Sequence, residues 1–389
     1  MLPSLKRSSP LVSAMSHHGR RLFSGAPISG SGQGPVGQEI VEVEGPTGGG
    51  DLSPGKAVTV KGEITDPTFG EKYNPGMPLD LKWIESVRAN KSGLEMRAAQ
   101  LGGRRTVKKD YQAAWLLRAI SCIDLTTLSG DDTEGNVRRL CAKAANPVRQ
   151  DILSALNVPS SFGLTTGAVC VYPARVKDAV SALSGTGIPV ASVATGFPSG
   201  QIKLEHKLAE IEQCVEDGAR EIDIVLSRDK CLRGDWEGVY EEVKLFKQAC
   251  GPSVSMKTIL ATGELGTYAT VTRASLVCMM AGADFIKTST GKESVNATLP
   301  VSLAMMRAIR DYYDASGKEY RVGYKPAGGI STAKDSLLYL ALVKDELGDT
   351  WLNKEMFRFG ASSLLGDCER QLHHNAFGEY AADYYMPSA

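Results

Sequence analysis

Residues 221–261 read EIDIVLSRDKCLRGDWEGVYEEVKLFKQACGPSVSMKTILA, a complete strand–helix–strand unit in one stretch. It opens on Glu221–Leu226, a short apolar run interrupted by Asp223, and closes on a second run, Val254–Ala261, interrupted by Lys257. Between them Val239, Val243 and Phe246 recur at the spacing of one helical face. Two strands joined by a helix of this length are the building block of a parallel sheet, because a parallel pair needs a long crossover.

Outward from this unit the alternation continues in both directions. Ala119–Thr127, Ala168–Tyr172 and Pro189–Thr195 precede it as strand candidates; Phe285–Thr290, Arg321–Ala327 and Phe357–Ala361 follow. Leu204, Leu208, Ile211 and Val215 mark another helical face between two of them. Eight such units over roughly 250 residues are the size and count of a closed parallel (β/α)8 barrel, a TIM barrel of the α/β class. A doubly wound open sheet would bring fewer strands and a Gly-rich phosphate turn after the first. Upstream, from about Leu79 to Leu117, Leu81, Ile84 and Val87 suggest a helix.

The expected division is a basic, Gly/Ser/Pro-rich segment at 1–56, a partly helical extension at 57–117 and the barrel at 118–389. The first 38 residues carry Lys6, Arg7, Arg20 and Arg21 and no acid before Glu39. That composition fits an organellar transit peptide followed by a linker, and equally a basic tail with no address. The protein is accordingly expected in the cytoplasm or the mitochondrion. Gly30, Gly32 and Gly34 mimic a dinucleotide fingerprint, but no strand precedes them and no helix follows.

Lys plus Arg and Asp plus Glu balance at 44 each, so no global field points to nucleic acid or an anionic membrane. The eight cysteines contain no C-x-x-C pair, which suits a reducing compartment better than a zinc site or a disulfide framework.

Chemistry is expected where charge interrupts the strands, at their C-terminal ends. Lys257, Lys287 and Lys325 do so, and so does one acid, Asp223. Alternation sets Asp223 opposite Ile222 and Ile224, and Lys287 opposite Ile286. With the isoleucines toward the helices, the ionisable groups point inward. A structural Lys–Asp pair would account for one lysine, but three against one acid leave excess positive charge. Crowded like charges and desolvation push a lysine toward the free amine that attacks carbonyl carbon. Moving a lysine from about 10.4 to near 7 takes roughly 4–5 kcal/mol of differential interaction. None of the five histidines falls in a strand candidate, which disfavours a His-rich metal site and a Ser-His-Asp hydrolase.

A phosphate end is also legible. Gly328-Gly329 follows the seventh strand and Gly360-Ala361-Ser362-Ser363 the eighth, the usual anion site of this barrel. Gly291-Lys292 after the sixth could add a charged donor. Each Gly pair alone could be a simple turn.

With these residues in hand the sequence resembles the deoxyribose-phosphate aldolase family, from about Arg104 onward. The resemblance rests on Asp124–Leu128, Ala168–Pro173, Glu221–Ile224, Lys257–Leu265, Ala283–Lys292, Gly323–Gly329 and Phe359–Ser363. Arg104–Lys109 and Ala113–Leu117 resemble its animal-type branch. The resemblance implies a class I aldolase that splits 2-deoxy-D-ribose 5-phosphate to acetaldehyde and D-glyceraldehyde 3-phosphate in deoxyribonucleotide catabolism. It implies Lys287 as Schiff-base nucleophile, with Lys325 and Asp223 assisting proton transfer. It further implies that Asp124, Thr126 and Leu128 line the pocket, with Cys170 close by, and that Lys257 is kept without being the nucleophile; a pairing role with Asp223 is expected for it. Thr290, Gly291, Lys292, Gly328, Gly329, Gly360, Ser362 and Ser363 complete the expected substrate contacts. No metal or organic cofactor is implied, nor any nucleic-acid or membrane partner, and the assembly is expected to be a homo-oligomer. Tyr384 and Tyr385 are followed by Met386-Pro-Ser-Ala389, unlike the terminal tyrosine that some bacterial members bring to the site. A Schiff-base aldolase for another sugar phosphate, and a catalytically silent binding barrel, are the competing readings.

Overall fold

The computed structural model describes residues 74–386. The basic segment at 1–56 and the first part of the extension lie outside the described residues.

Eight short parallel strands form one sheet: β1 Ile123–Thr126, β2 Ala168–Val171, β3 Val190–Ala194, β4 Glu221–Val225, β5 Ser255–Ile259, β6 Phe285–Lys287, β7 Gly323–Lys325 and β8 Phe359–Ala361. Neighbours in sequence are neighbours in the sheet, and β8 lies beside β1. The last seam, between β7 and β8, is made by two parallel bridges, Tyr324 with Phe357 and Ala327 with Gly360. Pro326 has no N–H to offer that seam; its carbonyl instead accepts from Gly360 N at 2.9 Å. The expected barrel is therefore present.

Each strand hands over to a helix on the outside. Val239, Val243 and Phe246 are buried on the helix Trp236–Cys250, and Ile211 on Leu204–Glu216, whereas Leu204 stays exposed at its helix start. Side-chain caps fix several starts: Thr133, Asp235, Thr267, Thr298 and Thr332 each accept a backbone N–H from the first turn. Ile222, Ile224 and Ile286 join this outer apolar layer, leaving the alternate residues for the interior.

The helical region upstream resolves into three pieces, α1 Leu81–Ser86, α2 Lys91–Gly102 and α3 Lys109–Ser121. Asp80 and Asn90 cap the first two. Residues 119–121, expected to open the first strand, instead finish α3. A short apolar run reads alike in a buried helix and a buried strand. The expected boundary at 117–118 thus falls within a helix. Ile84, Leu94, Leu101 and Leu116 belong to the same apolar cluster as the barrel's outer layer. All eight cysteines are buried and unpaired by disulfides. Among the described residues no helix is long and apolar enough to cross a membrane.

Candidate active site

The barrel interior is divided. Ala168, Cys170, Ala191 and Val193 from β2 and β3 form a small apolar patch against Leu128, Tyr172 and Phe197. The remaining strands contribute charge: Asp124 from β1, Glu221 and Asp223 from β4, Lys257 from β5, Lys287 from β6, Lys325 from β7 and, just ahead of β8, Arg358. Strand register makes the meeting possible, because Asp223 is level with Lys257 and Lys287 with Lys325.

Asp223 is the hub. Its Oδ2 accepts from Lys287 Nζ at 2.7 Å and from Lys325 Nζ at 2.7 Å, while its Oδ1 accepts from Lys257 Nζ at 3.0 Å. One oxygen thus holds two lysine nitrogens within two hydrogen-bond lengths of each other. Lys325 also donates to Asp124, and Lys257 to Glu221 at 2.6 Å. Beneath them Arg358 donates to Asp124 Oδ1 at 2.6 Å and to Glu221 Oε1 at 2.7 Å. To reach Asp124, the Lys325 stem passes β8 at Gly360. A Cβ there would stand 3.3 Å from Lys325 Cε and 2.8 Å from Ala327 Cβ. Gly360 was expected as an anion donor, but its N–H is already given to Pro326 O at 2.9 Å; the packing supplies the reason for glycine there.

The electrostatics separate the three lysines. Burial lowers the pKa of Lys287 and the neighbouring Lys325 charge lowers it further, against the pull of Asp223. Burial works the same way on Lys325, but Asp124 and Asp223 outweigh it and raise its pKa. Lys257 is likewise raised despite burial, by Asp223 and Glu221. Burial would raise Asp223, yet its lysines hold it well below the usual carboxylate range; Asp124 is also lowered, by Lys325 and Arg358. Burial pushes the Cys170 thiol up.

A cavity of about 350 Å3 opens above this layer. Lys287 reaches into its lining and is 3% exposed, whereas Asp223, Lys257 and Lys325 are each 0% exposed. The walls are Thr126–Ser129 after β1, Thr290–Lys292 after β6, Ala327–Ser331 after β7 and Gly360–Ser363 after β8. Of the expected contacts, Thr126, Leu128, Thr290, Gly291, Lys292, Gly328, Gly329, Gly360, Ser362 and Ser363 stand there. Asp124, expected as pocket wall, is wholly buried in the ionic layer below, and Cys170 and Lys257 also lie outside the lining. Gly328 and Gly329 both take φ of +79°, which suits glycine. Ser363 leads into the helix Leu364–Phe377, whose first N–H groups give that wall positive potential. Lys292 Nζ donates to Leu128 O at 3.0 Å across the cavity. The backbone N–H groups of Thr290 and Gly291 donate to Glu293, the former at 3.0 Å and the latter at 3.2 Å. This arrangement can offer an amine of lowered basicity to a carbonyl and, opposite it, donors to an oxyanion.

Glu221, Arg358 and Glu293 escaped the sequence reading. For the first two a signal existed: Glu221 has the strand parity of Asp223, and Arg358 that of Gly360. Tyr384 and Tyr385 are exposed, lie against each other at 4.4 Å and do not line the cavity. His206, His373 and His374 are on outer helices.

Comparison with known proteins identifies the family of the barrel. Residues 118–370 match the model of the DeoC/LacD family aldolases. The chain is 58% identical over 317 residues to the deoxyribose-phosphate aldolase of Homo sapiens, covering 81% of this chain and 98% of that one. It is 60% identical over 314 residues to the Mus musculus protein of the same name, covering 80% and 98%. Among solved structures, QR15, an aldolase, is 27% identical with a TM-score of 0.52, covering 67% of this chain and 99% of that one. A barrel with an inward cluster of lysines, matched along most of its length at this identity, belongs to the DeoC/LacD family of aldolases.

Proposed function

We propose that the chain cleaves 2-deoxy-D-ribose 5-phosphate reversibly through a Schiff base on Lys287. The observation that carries the residue assignment is that Lys287 is the lysine of the cluster that opens onto the cavity, and the one whose basicity is lowered. The names of the human and mouse relatives support the substrate. A single-phosphate sugar also fits the cavity, with amine at the floor and glycine- and serine-rich loops at the wall.

In this reading neutral Lys287 attacks the open-chain C1 aldehyde, and loss of water gives a protonated imine. The C2–C3 bond then breaks as the C3 hydroxyl loses its proton, and its electrons flow into the iminium. D-Glyceraldehyde 3-phosphate leaves, and an enamine stays on Lys287. Protonation of its terminal carbon and hydrolysis release acetaldehyde and restore the amine. Asp223 and Lys325, both within hydrogen-bond reach of Lys287 or its partner oxygen, are assigned the proton transfers. Gly328, Gly329, Ser362, Ser363 and Lys292 are assigned the phosphate, and Thr126 and Leu128 the sugar wall. Lys257 and Asp124 hold the ionic layer. A homo-oligomeric assembly belongs to the same reading and is open to sedimentation equilibrium.

The test is borohydride reduction with the substrate, followed by peptide mass mapping. A two-carbon adduct on Lys287 is expected, and it should vanish in Lys287→Met together with turnover. An adduct on Lys257 or Lys325 would overturn the residue roles. No adduct on active protein would overturn Schiff-base chemistry.

A further inference from the structure

Asp124, Asp223 and Glu221 face Lys257, Lys287, Lys325 and Arg358 in the ionic layer, so with every group ionised the cations outnumber the carboxylates by one. Without the arginine the set would pair one to one: Asp124 with Lys325, Glu221 with Lys257, Asp223 with Lys287. Arg358 adds a fourth cation that shares two of these carboxylates. Its guanidinium occupies Asp124 Oδ1 and both oxygens of Glu221, at 2.6, 3.2 and 2.7 Å, and it keeps its proton at any working pH. Lys257 and Lys325 therefore also lean on Asp223, at 3.0 and 2.7 Å. Lys257 and Lys325 then have two carboxylate hydrogen bonds each, and Lys287 has one.

A buried layer with net charge is costly, and the layer becomes neutral when one lysine gives up its proton. We propose that Arg358, which does not line the cavity, is a positioning residue that makes Lys287 the surplus cation and so keeps its amine free for attack near neutral pH. The proposal rests on Lys287 being the nucleophile. No other titratable group competes for the role from the facing strands: β2 brings the buried Cys170 thiol, held protonated by burial, and β3 brings Ala191 and Val193.

The test is the pH profile of kcat/KM on the full chain, with borohydride trapping mapped in parallel. Arg358→Met should balance the layer and move the alkaline-going rise upward by about one pH unit, roughly a tenfold loss below the midpoint that is recovered at higher pH. Arg358→Lys should keep the midpoint of the unsubstituted protein. Glu221→Gln removes an anion and should move the midpoint down. Opposite signs for Arg358→Met and Glu221→Gln are what a merely structural role would not produce. Should Arg358→Met fail to fold, by circular dichroism, the Glu221→Gln and Arg358→Lys profiles decide. An unmoved midpoint in Glu221→Gln, or an Arg358→Met loss equal at every pH, overturns the role of Arg358. Absence of an adduct on Lys287 in the unsubstituted protein instead overturns the nucleophile assignment.

Discussion

Asp223 Oδ2 binds two lysine nitrogens at 2.7 Å each, in a place where no part of the carboxylate is exposed. Such an anion is held by its cations and holds them in turn, so removing it strands buried charge. Asp223→Asn is expected to destabilise the fold by about 3–5 kcal/mol, read from the urea midpoint. The same contacts set a pH dependence. Asp223 and Asp124 are both depressed in the folded protein, so the unfolded chain binds more protons below its own value near 3.9. Their stabilisation is present above that value and is lost as pH falls toward the folded values. The thermal midpoint should therefore fall below about pH 4, and less steeply in Asp223→Asn. An equally steep fall in that variant would mean that other carboxylates govern the acid limb.

At the scale of the strand, the site depends on how the barrel closes. β7 and β8 share bridges rather than a ladder, and Lys325 crosses that seam over Gly360 to reach Asp124. Gly360→Ala would set a methyl 2.8 Å from Ala327 Cβ, a contact that cannot persist without movement of one strand. Overpacking of this kind costs about 1–3 kcal/mol. Activity should fall further than stability alone explains, because the displaced group is Lys325; wild-type kcat in a folded Gly360→Ala protein would contradict that account. The sequence exposed the glycine but not this reason for it. A glycine after a strand reads as a turn or an anion loop, and only the packed neighbour shows the missing side chain to be a passage for another.

Across the molecule, the segment before α1 is fastened to the N-terminal end of the barrel. Asn74 donates to Met279 O at 2.7 Å and Ala283 O at 2.9 Å and accepts from Tyr312 Oη at 2.9 Å; its N–H donates to Asp284 at 2.8 Å. Asp284 in turn accepts from Lys247 and from Met256 N. Gly76 follows at φ +79°, where a Cβ would meet Met280 O at 2.5 Å. Asn74→Ala leaves buried carbonyls and a tyrosine hydroxyl short of partners, at a cost of about 1–3 kcal/mol. A lower thermal midpoint with unchanged KM is expected, since the cavity lies at the other ends of the strands; a changed KM would imply coupling between the two ends.

Local pattern decided much of this protein. Period-two and helical apolar spacing determined eight strands with intervening helices, and a lysine or aspartate in an apolar strand has few places to go but inward, so Asp223, Lys257, Lys287 and Lys325 were legible. The glycine and serine loops after the seventh and eighth strands were legible because the barrel puts consecutive strand ends side by side. Tertiary structure alone decided the rest. Whether residues 119–121 were helix or strand turned on what they packed against. Glu221 and Arg358 lie 137 residues apart, and nothing local says that they share two hydrogen bonds or that Arg358 also reaches Asp124. Which lysine is left least held follows from that sharing, since the protonation of one buried group depends on every charge packed around it.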